Sequence, residues 1–135
     1  MHSEHIKLIA VFNSFHFELY ETDHTHITKG PEAIHLDFAK HNISDKHSGP
    51  FEPHTMPHDL EHHNAAKMIT EYLEVMLKDK HKYKELIIIG DPKTLGFVRQ
   101  HIGYNSEKIM TKSIAKNLVH QDKKHIEHAV FADDV

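Results

Sequence analysis

The sequence predicts a single α/β domain with a mixed central sheet and helices on both faces, and three observations lead there. Leu86, Ile87, Ile88 and Ile89 run without polar alternation, as in a strand covered on both sides, and such strands belong mainly to parallel sheets flanked by helices. The run stops at Gly90-Asp91-Pro92 and resumes at helical spacing, with Asp91 suited to cap a helix and Pro92 to its first turn. A length of 135 residues supplies one substantial core but not two.

Taken in order, Ile6 to Phe12 read as a first apolar strand and Asn13-Ser14 as a tight turn. Phe15, Phe17 and Leu19 alternate with His16, Glu18 and Tyr20 in a second strand. Thr22 to Thr28 would bridge to a third over Ala33 to Phe38, where Ile34, Leu36 and Phe38 alternate with His35 and Asp37. These three strands form an antiparallel meander. Lys40 to Pro57 carry Gly49, Pro50, Pro53 and Pro57 with little hydrophobic pattern, a long loop of the kind that often serves function.

From Pro57 to Lys80 the spacing turns helical, with Ala65, Ile69, Tyr72, Leu73 and Met76 on one stripe. A strand over 85–90 follows, then a helix from Pro92 to His101 ended by Gly103. A weaker strand spans Lys108 to Ile114, and a last helix starts near Asp122 with Ile126, Ala129 and Val130 inward. The resulting βββαβαβα order is ribonuclease H-like.

Composition narrows the chemistry. The chain has no cysteine, which excludes disulfide partners, zinc-thiolate sites and thiol catalysis, and suits a reducing compartment. Met-His-Ser-Glu-His is not a basic start before an apolar stretch, and no apolar run reaches the roughly 18 residues of a membrane span, so a cytoplasmic protein without membrane contact is expected. The net charge is −4, yet residues 78–124 alone carry +6, between −7 before them and −3 after them. Lys78, Lys80, Lys82, Lys84, Lys93, Lys108, Lys112 and Lys116 therefore form a candidate nucleic-acid surface, against the alternative of an ordinary solvated face. Seventeen histidines, with a crowd at His47, His54, His58, His62 and His63, are the other oddity. An imidazole's reference pKa is about 6.5, so a net charge that swings with pH is expected, against the plainer reading of scattered surface residues.

A right-handed crossover helix runs back along the strands it joins, which brings its amino end to their carboxyl ends. Asn13, His58 with His62, and Gly90-Asp91 should therefore converge. His58, His62 and Asp91 are candidate ligands of a divalent zinc or manganese ion that would activate water. The zinc-protease signature needs Glu directly after the first histidine, and Asp59 stands there. Asp91 is equally a helix cap. Neither a Gly-Lys-Ser/Thr phosphate loop, a Gly-x-Gly-x-x-Gly fingerprint nor a Gly-x-Ser-x-Gly elbow is present, so no catalytic residue is assigned.

Asn13 to Tyr20 after an apolar strand, the stretch Tyr83 to Arg99 with its Pro92-Lys93-Thr94-Leu95-Gly96 segment, and Lys116-Asn117-Leu118 followed by Ile126-Glu127 resemble the bacterial "protein required for attachment to host cells" family. That family in turn looks like the middle domain of archaeal and eukaryotic peptide-chain release factors. There the long loop before the first helix carries Gly-Gly-Gln, and the matching segment here, Lys46 to His58, has no such tripeptide. Where the resemblance implies an aspartate at the end of the first strand, this chain has Asn13. The resemblance thus implies a non-catalytic binding module associated with ribosome or RNA, with an indirect role in host attachment. The competing expectation is a metal-dependent phosphoesterase or nuclease at the His/Asp site.

Overall fold

The structure, a computed structural model, describes residues 5–37, 57–79 and 82–132. The long Lys40–Pro57 loop, apart from Pro57 itself, lies outside them, as does Lys80. The strands are β1 (Ile6–Phe12), β2 (Phe17–Thr22), β3 (Ile27–Ile34), β4 (Tyr83–Gly90) and β5 (Met110–Ala115). The helices are α1 (Pro57–Asp79), α2 (Pro92–His101), α3 (Tyr104–Glu107) and α4 (Lys123–Phe131). The expected βββαβαβα order is present, with the four-residue α3 as an addition.

All five strands form one sheet in the order β3-β2-β1-β4-β5. β1 pairs antiparallel with β2 and β2 with β3, while β4 pairs parallel with both β1 and β5. Alternate residues of β1 and β4 enter two cores. Leu8, Ala10, Phe12, Leu86 and Ile88 pack under α1 and α2 with Ala65, Ile69, Leu73, Leu95 and Val98. Ile9, Val11, Ile87 and Ile89 pack under α4 with Ile126 and Val130. Burial on both faces is what the unbroken aliphatic run demands. It also corrects the second strand, where Glu18 and Tyr20 are buried because α4 closes the face that alternation assigned to solvent.

The third strand lies earlier than the alternation placed it. The Asp23 carboxylate accepts the backbone N–H groups of Thr25 and His26 at 2.8 and 2.9 Å, and Thr22 Oγ1 donates to the His26 carbonyl at 2.7 Å. This tight turn sends the chain straight back as β3, which is an edge strand and mostly exposed, so it lacks the apolar alternation that would mark it. The alternation at 33–38 yields a buried Leu36 beyond the strand end, while Phe38 lies outside the described residues. β5 starts at Met110 because the N–H groups of Lys108 and Ile109 bond back to α3, and Tyr72, assigned to the α1 core stripe, is exposed.

Two glycines permit close approach. A Cβ on Gly90 would lie 2.2 Å from the ring of its β1 partner, the fully buried Phe12. One on Gly103 would lie 2.3 Å from the Glu74 carboxyl carbon. Glu74 reaches from α1 to the start of α3, where its carboxylate accepts from the backbone N–H and side-chain amide of Asn105 (3.3 and 3.1 Å) and from the N–H and hydroxyl of Ser106 (2.9 and 3.0 Å). Burial alone would raise the Glu74 pKa, but these four bonds favour the anion and hold it below the usual carboxylate range.

Candidate functional site

At the carboxyl ends of β1 and β4, His62 of α1 meets the start of α2. Its Nδ1 lies 2.5 Å from Thr94 Oγ1 and 3.4 Å from Asp91 Oδ2, and Thr94 is completely buried. Asp91 Oδ1 accepts the Thr94 N–H at 3.3 Å, so the aspartate caps α2 as its position before Pro92 implies. His58 lies on the first turn of α1, but its side chain is outside the described residues. Among the described residues, no group of three or more His, Asp or Glu side chains is arranged to hold a metal ion.

On the opposite face of the same edge, Asn13 Oδ1 accepts the N–H groups of Phe15 and His16 at 2.8 Å each, which makes it the side chain that turns β1 into β2. Asn13 Nδ2 faces Asn117 Oδ1 at 3.5 Å across the end of β5. Beside them sits the buried Glu18, whose carboxylate accepts the Tyr20 hydroxyl at 3.5 Å and lies 3.4 Å from His120 Nδ1. Burial, and then the Glu18 charge, push the Tyr20 phenol up to about 12. His120 has φ 69°, a left-handed backbone uncommon for a non-glycine residue, and its ring meets that of His16 at 4.7 Å. Strand alternation hid this cluster. The signal that could have revealed it is the apolar face of α4, which needs a sheet face to cover.

The amino ends of β4 and β5 are different in kind. Leu86 pairs with Met110, which sets Lys84 and Lys108 two residues before that pair on neighbouring segments. Lys78 lies in the last turn of α1, and Lys82 opens the turn into β4. Tyr104 is 74% exposed, and Lys108 Nζ stands 5.2 Å from its ring centroid. A cavity of about 520 Å³ opens between α1 and the β2–β3 side of the sheet, lined by Glu21, Lys29, Glu32, Tyr72, Lys82 and Tyr83. Inside it Glu21 accepts the Tyr83 hydroxyl at 2.6 Å and pairs with Lys82 at 3.0 Å. Burial opposes ionisation of Glu21, yet these two partners hold its pKa below normal, while burial and Glu21 together raise that of Tyr83. The two groups are driven apart on the pH scale, the signature of a fixed pair rather than one trading a proton near neutrality.

The structure thus distributes the candidate lysines. Lys78, Lys82, Lys84 and Lys108 lie at the amino edge, with Lys82 also tied to Glu21. Lys93 and Lys116 lie at the carboxyl edge, and Lys112 Nζ donates to the Val130 carbonyl of α4. Of the candidate metal ligands it brings together His62 and Asp91. Among the described residues, no helix is long and apolar enough to cross a membrane.

Comparison with known proteins gives three kinds of likeness. A family model described as "Protein required for attachment to host cells" matches residues 28–130. An uncharacterized protein of Rickettsia prowazekii (strain Madrid E) is 42% identical over 140 residues, covering 94% of this chain and 93% of that protein. Among solved structures, an archaeal translation termination factor aligns with 96% of this chain at 17% identity and a TM-score of 0.46, and an archaeal protein with 95% at 15% identity and 0.42. The chain spans only 35% and 36% of the length of those two structures.

Proposed function

The chain belongs to the family of proteins required for attachment to host cells, and from that premise we propose that it is a non-catalytic binding module that docks on RNA, free or within the ribosome, through the amino edge of its sheet. The observation that carries this reading is the exposed Tyr104 ring with Lys108 beside it and Lys84 on the adjoining segment. Single-stranded RNA is held by this combination: an aromatic face on which a base stacks, with lysines following the phosphates as point charges. The carboxyl-edge groups support the absence of catalysis in this reading, because Asp91 and Asn13 are engaged in a helix cap and a turn. On this reading the attachment role is reached indirectly, through the bound RNA.

The test is fluorescence anisotropy with a labelled single-stranded RNA, together with co-sedimentation with ribosomes. Binding should weaken steeply with salt, with log K against log [salt] falling by about 0.7 for each phosphate neutralised. Tyr104→Ala should weaken binding by about tenfold, and Lys84→Gln with Lys108→Gln should flatten the salt slope by about 1.4. No binding to either RNA or ribosomes at low salt overturns the proposal.

A further inference from the structure

We infer that His63 and His101 form a two-imidazole site for a divalent transition ion of the zinc and copper class where α1 crosses α2. Their Nε2 atoms are 3.0 Å apart, although one residue lies in the second turn of α1 and the other is the last residue of α2. Two neutral imidazoles meeting nitrogen to nitrogen share a single proton between two lone pairs. Replacing that proton by an ion with Zn–N bonds of about 2.0–2.1 Å would set the nitrogens of a tetrahedral pair about 3.3 Å apart. A widening of a few tenths of an ångström achieves this. The rings meet nearly edge to face, and the His63 ring also packs edge-on against Phe97, one turn before His101 on α2.

Among the described residues, two other histidine pairs make ring contacts. His5 stacks on His24 while its Nε2 faces Glu85 at 2.5 Å, and His16 meets His120 while His120 Nδ1 faces Glu18. The His62 Nδ1 beside the proposed site faces Thr94 and Asp91. Imidazole pairs suit zinc, copper and nickel and do not suit magnesium or calcium, which want oxygen. Two protein ligands leave the remaining positions to water, so the ion should exchange readily and staple α1 to α2 while bound.

Isothermal titration of untagged protein with zinc chloride, paired with thermal unfolding, tests this. One zinc ion per chain should bind with a Kd below about 100 µM and raise the unfolding temperature, because it binds the folded state. His63→Ala and His101→Ala should each weaken that event by at least about tenfold, His24→Ala should not, and magnesium should give no response. Copper(II) should show two coordinated nitrogens by electron paramagnetic resonance in the parent protein and fewer in either variant. No saturable zinc binding in this range, or binding that both variants keep in full, overturns the assignment; circular dichroism of the variants confirms that they are folded.

Discussion

At the carboxyl ends of β1 and β4, Asp91 caps α2, His62 bonds the buried Thr94 and Asn13 makes the turn into β2, whereas at the amino ends of β4 and β5 Tyr104, Lys84 and Lys108 are exposed to solvent. One end spends its polar groups on holding elements together. The other keeps rings and cations available to a partner. A polar side chain that stands out in a motif is therefore weak evidence of chemistry until its hydrogen bonds are counted, and a plain lysine becomes informative once it is found beside an exposed aromatic ring.

This contrast can be broken or sharpened by substitution. The largest effect is expected at Glu74, an anchored group near the amino end: Glu74→Ala leaves the buried Ser106 N–H and hydroxyl without their acceptor and should cost roughly 2–4 kcal/mol in urea unfolding. Gly90→Ala drives a methyl into the Phe12 ring and should cost about 1–3 kcal/mol. A neutral result there would show that the carboxyl end is looser than its packing indicates. Asp91→Ala removes the α2 cap and should cost about 1 kcal/mol. At the opposite limit, Tyr104→Ala should change stability by less than about 0.5 kcal/mol while weakening RNA binding. A large stability loss in that variant would make Tyr104 a structural residue and remove the contrast.

A pH series adds a graded test. Glu74, Glu21 and Glu85 are each drawn toward higher pKa by burial and held below normal by their hydrogen-bond and ionic partners. Folded pKa values below the unfolded ones mean that the folded state binds fewer protons, so the stabilisation is complete above the ordinary carboxylate range of about 4.3 and is lost as pH falls through the depressed values. Urea midpoints measured from pH 6 down to pH 3 should therefore fall, and Glu74→Gln should lessen that fall. An unchanged slope in Glu74→Gln would remove this carboxylate from the acid response.

Much of the scaffold was legible because the signals are local. Leu86 to Ile89 announce a strand covered on both faces, and Asp91-Pro92 mark the start of α2. β3 was misplaced because an edge strand buries little and leaves no hydrophobic period, and α3 is too short to show one. Within the candidate sites, the approach of His62 to Asp91 followed from the direction of a crossover helix. The Glu18–His120 contact, the Glu74 anchor and the pairing of Lys108 with Tyr104 were not legible, because each depends on how helix faces meet or on the conformation of a connecting segment. His63 and His101 lie 38 positions apart and become neighbours only through the crossing of α1 and α2.

The position of β1 between β2 and β4 also has a consequence for how the chain is made. β2 follows β1 directly and can pair with it as soon as it emerges, with β3 then adding to β2, but the other flank of β1 must wait until α1 and then β4 have been synthesised. Until then Leu8 to Phe12, fully buried in the finished protein, present an unpaired aliphatic strand edge of the kind that recruits other chains. The pairing that closes this edge is also the one that spans the long intervening segment, which makes it slow relative to the hairpins. A nascent chain stalled before Tyr83 is therefore the aggregation-prone species, and the aliphatic run of β4 is the part of the sequence that ends that exposure.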